Sequence, residues 1–515
     1  MKSVVLPDDV WECIAAFLSR RDLAGLISLN VALYNIVLNT RYRELCWDKV
    51  DKKMLKMLVR VRTPSIAHRV RRLHVRAWFI EYLVRKESLT PSSFAFNPKR
   101  LLVHYLGLPT NDIGSTTLAS SANASDILKS MAVAVRLMTQ VTEYSFEWRD
   151  LSPTPDTMRF LSAARLAFGV SLRKLTLHAQ LHNFSALLST VDFQNLEELE
   201  LFLDHDDSAT DAANLLRDTI APFVNHFRHT IFSLLLSSAS KADMSPLLDA
   251  LQHVPHLHKF VGRFAFDASH LSDPRTLFKF LRLNCTLTIV ELGWSFAATS
   301  DEVSKLSSWG AFCNAVLADG GAFVNLSGLN TPFLRRFDDT MTCLRRSADT
   351  LTSLCLIDHF FREEELLEFA NLFAHRPFDA GLQKLSLGLT HLTIETVDTL
   401  ANRFPGLQSL DLVLPEGVLR RICHIDPPTS FGYSKDPTTF CALLITRSYT
   451  AWKLVNIGIW EKRFAGSSVL VPAELCLMQH LASRIPSVQT FRGEPKTEGK
   501  PCRVGVVKPS SHLLD

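Results

Sequence analysis

The feature that most constrains the fold of this 515-residue chain is a six-residue element, LxxLxL, that recurs along most of its length. Its last two leucines alternate with another residue, as in a β-strand whose alternate side chains point to one side. The clearest copies begin at Leu172, Leu196, Leu351, Leu382 and Leu407. Weaker copies, which hold other apolar residues in the same three positions, begin at Val70, Val141, Ile231, Leu287 and Trp452. This many copies predicts a repeat protein rather than one globular core.

Between these elements the apolar spacing changes to that of helices, for example in residues 214–227, 363–374 and 394–404. Prolines follow three helical segments and precede the next strand, and proline ends a helix and extends the residue before it. These prolines are Pro255, Pro405 and Pro486. Strands that alternate with single helices favour a parallel sheet with right-handed crossovers. The predicted architecture is therefore a curved strand–helix solenoid.

The first 47 residues hold 21 Val, Ile, Leu, Phe, Tyr or Trp residues, in three helical phases separated by short breaks. The first phase follows Pro7 and places four apolar residues on one face, which are Val10, Ile14, Phe17 and Leu18. A capping box over residues 19–22 starts the second phase. The third phase runs from Tyr34 to Leu45.

Two interpretations of these three helices are open on their pattern alone. They are the first layer of a larger helical core, or they are a module that another protein covers. Fewer than about 50 residues make a poor independent core, yet the segment carries more apolar side chains than the apolar faces of its three helices account for. The following segment or a second protein must therefore cover that surface.

The string LPDDVWECIAAFLSRRDLAGLISLNVALYNIVLNTRYRELCW resembles the F-box family. The family pattern begins with Leu-Pro, ends the first helix with Phe-Leu, opens the second with Asp-Leu and closes with an apolar residue near a Trp. The matching residues here are Leu6, Pro7, Val10, Ile14, Phe17, Leu18, Asp22, Leu23, Leu26, Leu29, Leu45 and Trp47. The chain departs from the family at the third helix, where Asn30 and Leu33 replace the frequent Cys and Trp.

The resemblance implies that the module binds the Skp-type adaptor, and through it the cullin scaffold, of a cullin-RING ubiquitin ligase. The adaptor-binding residues that it implies are Leu6, Pro7, Val10, Ile14, Leu18, Leu23, Leu26, Leu29, Leu33 and Tyr34.

The remaining chain resembles the leucine-rich repeats, in the irregular form that follows an F-box in many fungal proteins. That family has an Asn ladder in its turns, and this chain fills the ladder position with Gln180, Asp204, His359, Thr390 and Pro415. The turns therefore need other hydrogen-bond partners. The expected fold class is α plus α/β, with a three-helix F-box followed by an irregular leucine-rich-repeat solenoid.

These patterns divide the chain into five segments. They are an F-box-like module at 1–48, a basic helical connector with the first repeat at 49–110, a polar loop at 111–130, the repeats at 131–493 with an insertion at 416–438, and a loosely ordered tail at 494–515. The insertion carries Phe431 and Tyr433, and its interpretation as a target contact or as an inert loop stays open.

Basic residues are concentrated early in the chain. Residues 41–100 hold 16 Lys or Arg and 5 Asp or Glu, a local excess of 11 in a chain whose net charge is +4. The segment 49–76 is either a solvated helix face whose basic stems cover a core, or a surface for an acidic partner. No nucleic-acid motif or aromatic interleaving accompanies it, so nucleic acid is not expected as a partner.

Composition excludes several classes of protein. With 47% hydrophobic and 21% charged residues, the chain is neither disordered nor of low complexity. Its longest apolar stretch, residues 306–318, is shorter than the roughly 20 residues of a membrane span, and no membrane association is expected. Polar residues interrupt the N-terminal apolar run, and because an export signal needs a continuous one, no export is expected. Ten cysteines without a CxxC pair indicate buried thiols in a reducing compartment, so cytoplasm, nucleus or both are expected.

No catalytic motif is present among those with a known mechanism, such as HExxH, GxSxG, GxGxxG or the Walker loop. Cys423 and His424 are adjacent, and adjacent residues rarely face each other as nucleophile and base. Glu363, Glu364 and Glu365 open a helix, where negative charge complements the helix dipole. We therefore expect no enzyme activity, no cofactor and no metal site.

The sequence predicts a non-catalytic substrate-recognition subunit of an SCF-type ubiquitin ligase, which binds the adaptor through its N-terminal helices and an unknown target protein through its repeats. The alternative is a leucine-rich-repeat scaffold that has no link to ubiquitination, in which the helices cap the solenoid.

Overall fold

The structure is a computed structural model of the chain. It describes residues 6–77, 79–80, 124–149, 154–188, 193–205, 211–238, 242–264, 269–293, 323–331, 337–376, 381–418, 440, 443–462 and 472–495. The chain forms two compact units, the first made mainly of residues up to Leu257 with Arg263–Leu283, and the second of His258–Gly262, Asn284–Trp294 and the chain from Thr299 onward.

The first unit contains twelve described α-helices and six strands. Its helices are α1 (Asp8–Ala16), α2 (Arg20–Gly25), α3 (Val31–Tyr42), α4 (Lys52–Arg60), α5 (Pro64–Ala67), α6 (Ala124–Val135), α7 (Pro155–Phe168), α8 (Phe184–Leu188), α9 (Ala212–Leu215), α10 (Ala221–His226), α11 (Ser245–Ala250) and α12 (Arg275–Leu283). Its strands are β1 (Glu44–Trp47), β2 (Arg72–Arg76), β3 (Glu143–Arg149), β4 (Lys174–Gln180), β5 (Glu198–Asp204) and β6 (Ser233–Ser237).

The second unit holds the remaining described elements. Its strands are β7 (Lys259–Arg263), whose last residue belongs to the first unit, β8 (Ile289–Gly293), β9 (Gly328–Asn330), β10 (Ser353–Phe361), β11 (Lys384–Leu389), β12 (Ser409–Leu414), β13 (Asn456–Glu461), β14 (Thr490–Phe491) and β15 (Glu494–Pro495). Its helices are α13 (Phe337–Arg345), α14 (Glu363–Leu372), α15 (Ile394–Arg403) and α16 (Pro472–Ala482).

The fifteen strands are ordered along the sheet as they are ordered along the chain. Every described pairing is parallel, except the terminal hairpin of β14 and β15, which is antiparallel. Parallel neighbours need a crossover between them, and helices provide it in most repeats. This organisation confirms the predicted strand–helix repeat architecture.

The LxxLxL leucines form the core. In the copy that begins at Leu172, the three leucines are at most 2% exposed, and the strand alternates buried with half-buried residues. The copies that begin at Leu196, Leu351, Leu382 and Leu407 are buried to the same degree. Each neighbouring strand places its fourth-position residue in register with the previous one, as Leu175 pairs with Leu199 and Leu199 with Leu234. Burial of each such side chain stabilises the fold by roughly 1.5–3 kcal/mol.

A backbone ladder satisfies the turns that lead into the strands. At the start of most repeats, one carbonyl oxygen accepts hydrogen bonds from two consecutive N–H groups of the next repeat, at 2.7–3.1 Å. For example, the Thr142 carbonyl oxygen accepts from the N–H groups of Arg173 and Lys174. Hydroxyls of Thr142 and Ser171 add bonds to carbonyl oxygens of the preceding repeat. These bonds lie where the strands begin, whereas the ladder positions Gln180 and Asp204 are the last residues of their strands.

One helix assignment and one strand assignment from the sequence were wrong. Leu45 was predicted to lie on the third helix, but α3 ends at Tyr42, and Leu45 and Trp47 are the buried alternate residues of β1. The helical module is therefore shorter than residues 1–48, because its last residues pair with β2. The element predicted to begin at Trp452 is shifted by two residues, since Val455 is exposed and the buried series is Leu454, Ile457 and Ile459.

Other predicted boundaries differ from those in the structure or lie outside the described residues. The polar loop predicted at 111–130 ends earlier than expected, because residues 124–130 belong to α6, whose Ile127 and Leu128 are buried. Residues 111–123, most of the insertion at 416–438 with Phe431 and Tyr433, and the tail after residue 495 lie outside the described residues. At the start of the predicted tail, Glu494 and Pro495 form β15.

The helix predicted at 214–227 is present but is interrupted by one π-helical segment, Leu216–Ile220. Pro222 follows this segment and lacks the N–H that an α-helix would direct to a carbonyl oxygen four residues earlier. The helices predicted at 363–374 and 394–404 are confirmed as α14 and α15. Among the described helices, none has the length and apolar character needed to cross a membrane.

We expect Leu201→Ala to lower the free energy of unfolding by about 2–5 kcal/mol, because Leu201 is fully buried and its removal leaves a cavity between strand and helix layers. Urea unfolding followed by circular dichroism measures this change. The matched control is Leu166→Ala on α7, where the side chain is 76% exposed and the loss is expected to stay below about 0.5 kcal/mol. Equal losses in the two variants would contradict the described core.

Candidate interaction surfaces

The three N-terminal helices enclose a small core of their own. Its fully buried members are Ala15, Leu23 and Leu33. Trp11, Leu18, Leu26, Ile36 and Val37 pack against them and remain partly exposed. On α1 the inward residues Trp11, Ala15 and Leu18 follow helical spacing, so the residues one position earlier along the helix face outward.

Local hydrogen bonds define where these helices begin. The Ser19 hydroxyl oxygen accepts from the backbone N–H of Asp22 at 3.2 Å and donates to the Asp22 carboxylate at 2.6 Å, which starts α2. The predicted capping box is therefore present in one half only. Asn30, which interrupts the apolar pattern, caps α3 by accepting from the Leu33 N–H at 2.7 Å.

Seven large apolar side chains of these helices are exposed, and we call them the N-terminal apolar group. They are Leu6, Val10, Ile14, Phe17, Leu29, Val31 and Tyr34. Phe17 is 91% exposed, Val31 75% and Leu29 67%. Seventeen large apolar side chains are exposed in the described part of the chain, so nearly half of them lie within residues 6–34. Such a concentration of exposed apolar residues is typical of a protein interaction site.

The structure divides the predicted adaptor-binding residues into two sets. Leu6, Pro7, Val10, Ile14, Leu29 and Tyr34 are exposed, as an interaction surface requires. Leu23 and Leu33 are buried in the module core. Leu18 and Leu26 are half-buried against that core.

Two further exposed apolar residues, Phe17 and Val31, lie outside the predicted adaptor-binding set. Phe17 was predicted on the first apolar face but was not assigned to binding. Val31 is the first residue of α3, three positions before Tyr34, and that spacing alone places the two on one face.

The three N-terminal helices are joined closely to the first repeats of the same unit. Only Arg43 separates α3 from β1. The Arg69 guanidinium donates to the Asn39 side-chain oxygen at 2.5 Å, to the Asn35 side-chain oxygen at 2.8 Å and to the Asn35 carbonyl oxygen at 3.2 Å. These bonds hold α3 beside α5 and the first strands.

The second candidate surface is the face of the sheet whose side chains alternate with the buried leucines, which we call the open face. In the first unit its charges alternate in sign from strand to strand. Arg72 Nε lies 2.9 Å from Glu143 Oε1, and Lys174 Nζ lies 3.2 Å from Glu198 Oε2. His178 Nε2 lies 2.7 Å from Asp204 Oδ2. The carboxylates of this face are therefore largely paired within the chain.

Lys174 shows the balance of effects on this face. Partial burial lowers the pKa of its ammonium group, but the nearby carboxylates of Glu200 and Glu198 raise it by more, so that the pKa is raised overall. Lys174 Nζ lies 2.5 Å from Glu200 Oε1, and the Thr176 hydroxyl donates to the other oxygen of Glu200. Lys174 therefore stays protonated and remains paired with Glu198 and Glu200.

The open face of the second unit has a different character. Ser386, Asp411 and Gly458 occupy one row across β11, β12 and β13. A Cβ at Gly458 would overlap Asp411 Oδ1 and the Trp460 ring, so only glycine leaves room for both side chains. Burial raises the pKa of Asp411 to about 6, although a hydrogen bond from Ser386 and the nearby Arg492 cation oppose that rise.

Cations lie on two aromatic rings at this end of the sheet. The Arg492 guanidinium carbon lies 4.6 Å from the centre of the Trp460 ring, and Lys462 Nζ lies 5.0 Å from the centre of the Phe360 ring. Arg492 also forms a buried ion pair with Glu474 of α16, at 2.5 Å. Sequence patterns indicated none of these contacts, because they join residues from separate repeats.

The described residues include no group of three or more His, Cys, Asp or Glu side chains arranged to hold a metal ion. Cys423 and His424 lie outside the described residues. The expectation that the cysteines are buried was wrong for Cys13, Cys46 and Cys285, which are exposed, whereas Cys343 and Cys476 are buried.

Comparison with known proteins finds matches among solved structures. No protein-family model and no curated protein matches the chain. Among solved structures, the chain is similar to one chain of the Rad7–Elc1 complex of yeast, with 13% sequence identity and a TM-score of 0.34, over 56% of this chain and 75% of that one. A similarity of this size does not define a shared fold.

We expect Asp411→Asn to raise the free energy of unfolding at pH 7.5 by about 1–3 kcal/mol and to have a smaller effect at pH 4. The folded-state pKa of Asp411 is about 6, above the unfolded value of 3.8, so stability decreases as the pH rises from about 4 to about 6 and stays reduced above it. Urea unfolding at both pH values measures the difference. The control Asp249→Asn removes an exposed carboxylate. A benefit that did not change with pH would contradict this assignment.

Proposed function

We propose that this protein is a substrate-recognition subunit of a ubiquitin ligase of the SCF type. In this proposal the N-terminal helices bind a Skp-type adaptor, which connects them to the cullin scaffold. The repeats bind a target protein and bring its lysines near a separate ubiquitin-transfer enzyme. The chain itself makes and breaks no bonds, and it acts in the cytoplasm or the nucleus by raising the effective concentration of the target.

The observation that carries the proposal is the N-terminal apolar group. A module with a core of only three fully buried apolar residues exposes seven large ones, including Phe17 and Val31. Covering a side chain of this size stabilises a complex by roughly 1.5–3 kcal/mol before the costs of association are subtracted. These exposed apolar side chains support binding of a partner protein at the helices, and the F-box-like sequence supports an adaptor as that partner.

The open face supports the target-binding part of the proposal. Its side chains are polar or charged in the first unit and include Trp460, Phe360 and Lys462 in the second. Aromatic and basic residues are frequent at the energetically dominant positions of protein interfaces. Each unit therefore offers its own chemistry to a target.

One observation favours the alternative, a repeat scaffold without a link to ubiquitination. The helices run almost directly into β1, and Arg69 fixes α3 to the first repeat, as expected of a helical cap on a solenoid. A cap needs no partner, whereas an adaptor-binding module does. Adaptor binding therefore separates the two functions.

The test is co-purification of the full chain with a recombinant Skp-type adaptor, followed by a binding titration. We expect Phe17→Ala combined with Leu29→Ala to weaken adaptor binding at least about tenfold, because the two side chains are 91% and 67% exposed and contribute to the interface rather than to folding.

The matched control is Leu166→Ala combined with Val170→Ala, which removes two apolar side chains that are 76% and 71% exposed in the repeats. This variant should bind the adaptor as the unaltered chain does. Failure of the unaltered chain to bind would favour the scaffold, and equal binding by both variants would exclude the N-terminal apolar group as the contact.

A further inference from the structure

A stripe of cations lies on the outer side of α4. Lys49, Lys53, Lys56 and Arg60 are spaced by four, three and four residues, and all four are exposed. Lys53, Lys56 and Arg60 lie on α4, where this spacing places them on one side of the helix, and Lys49 precedes the N-cap residue Asp51. The opposite side faces the core with Met54, Leu55 and Leu58, which are at most 5% exposed. We call these four residues the α4 basic stripe.

Few negative charges oppose the stripe within its own segment. Residues 49–62 hold six Lys or Arg and a single carboxylate, Asp51. Asp51 caps α4 by accepting from the Met54 N–H at 2.7 Å, and it lies 3.6 Å from Lys49 Nζ. Lys49 remains 67% exposed, and an ion pair at that exposure contributes little. The segment 49–62 therefore carries a net charge of +5.

The stripe approaches α3 at Tyr42, whose side chain is buried beside the exposed Arg41 and Arg60. The Arg60 guanidinium donates to the Tyr42 hydroxyl at 3.1 Å, and the Arg41 guanidinium carbon lies 5.8 Å from the centre of the same ring. Arg41 is seven residues after Tyr34, two helical turns along the same side of α3. One surface thus runs from the apolar Val31 and Tyr34, through Arg41 and Arg60, onto the stripe.

We propose that the α4 basic stripe is part of the same docking surface as the N-terminal apolar group, and that the adaptor meets it with acidic side chains next to its apolar contacts. This inference rests on the proposed function and adds the charge of the partner to it. Complementary charge at the rim of an apolar contact speeds association and orients the partner.

A nucleic acid is the other polyanion that such a stripe could attract, and the surface favours a protein instead. The helix α4 is nine residues long, about 14 Å along its axis, which is short for a backbone-tracking site. A phosphate backbone would leave Val31 and Tyr34 uncovered. A protein with acidic and apolar residues side by side covers both parts of the surface.

The test reverses two charges of the stripe with Lys53→Glu and Lys56→Glu, and leaves Arg60 with its Tyr42 contact intact. Both positions are exposed, and Lys53 lies in the first turn of α4, where glutamate suits the helix dipole, so the fold is retained. The control, Arg217→Glu with Arg275→Glu, makes the same change in net charge at two exposed sites elsewhere in the first unit.

Binding of the recombinant Skp-type adaptor to the full chain is measured at about 0.1 M and about 1 M NaCl, between which the Debye length falls from about 10 Å to about 3 Å. We expect the stripe variant to bind about tenfold more weakly at the lower salt concentration and within about twofold of the unaltered chain at the higher one. The control variant should match the unaltered chain at both.

Unchanged adaptor binding by the stripe variant at low salt would overturn this inference and leave the proposed function standing. Loss of binding to a 20-base-pair DNA duplex with unchanged adaptor binding would overturn it in favour of nucleic acid. Absence of adaptor binding by the unaltered chain would overturn both the inference and the proposed function.

Discussion

The rest of the structure depends on the way each strand is attached to the repeat before it. A single carbonyl oxygen accepts two consecutive N–H groups from the next repeat, and this arrangement recurs from Arg43 to Val455 in the described chain. Because the bond uses only backbone atoms, it places no demand on the residue type at the turn. It therefore keeps the register of the strands in a chain whose turn residues and repeat lengths vary, and the buried leucines of successive strands remain level.

A sheet built in this way leaves one face for the core and one for other contacts. The first unit neutralises its open face with ion pairs between neighbouring strands, such as Arg72 with Glu143. The second unit has fewer charges there, and its half-buried Asp411 lies beside Trp460 and Arg492 in the space that Gly458 leaves. The N-terminal helices of the first unit differ from the repeats, because their core is too small to hold all of their apolar side chains. The excess is exposed at Phe17, Leu29 and Val31.

The strand pattern could be predicted where it consists of leucines, and it was missed where other residues take their place. Tyr42, Leu45 and Trp47 are as buried as any leucine series, but their sequence also fits the end of a helix. Leu326 and Leu329 support β9, yet Thr331 fills the last buried position, and the pattern was not recognised. The last element was predicted two residues too early because Trp452 is apolar and buried. Trp452 lies before the strand, where its indole N–H donates to the Phe404 carbonyl oxygen.

The sequence by itself determined that the chain is a strand–helix repeat protein with an apolar helical module at its start, since leucine spacing and helical periodicity are local properties. It also located most residues of the N-terminal apolar group. Only the tertiary structure decided which of those residues face outward, because Leu23 and Leu33 become buried through contacts between helices that no single helix defines. The junction of α3 and α4 at Tyr42 and the surroundings of Asp411 likewise join residues far apart in the chain, and such proximity exists only in the folded state.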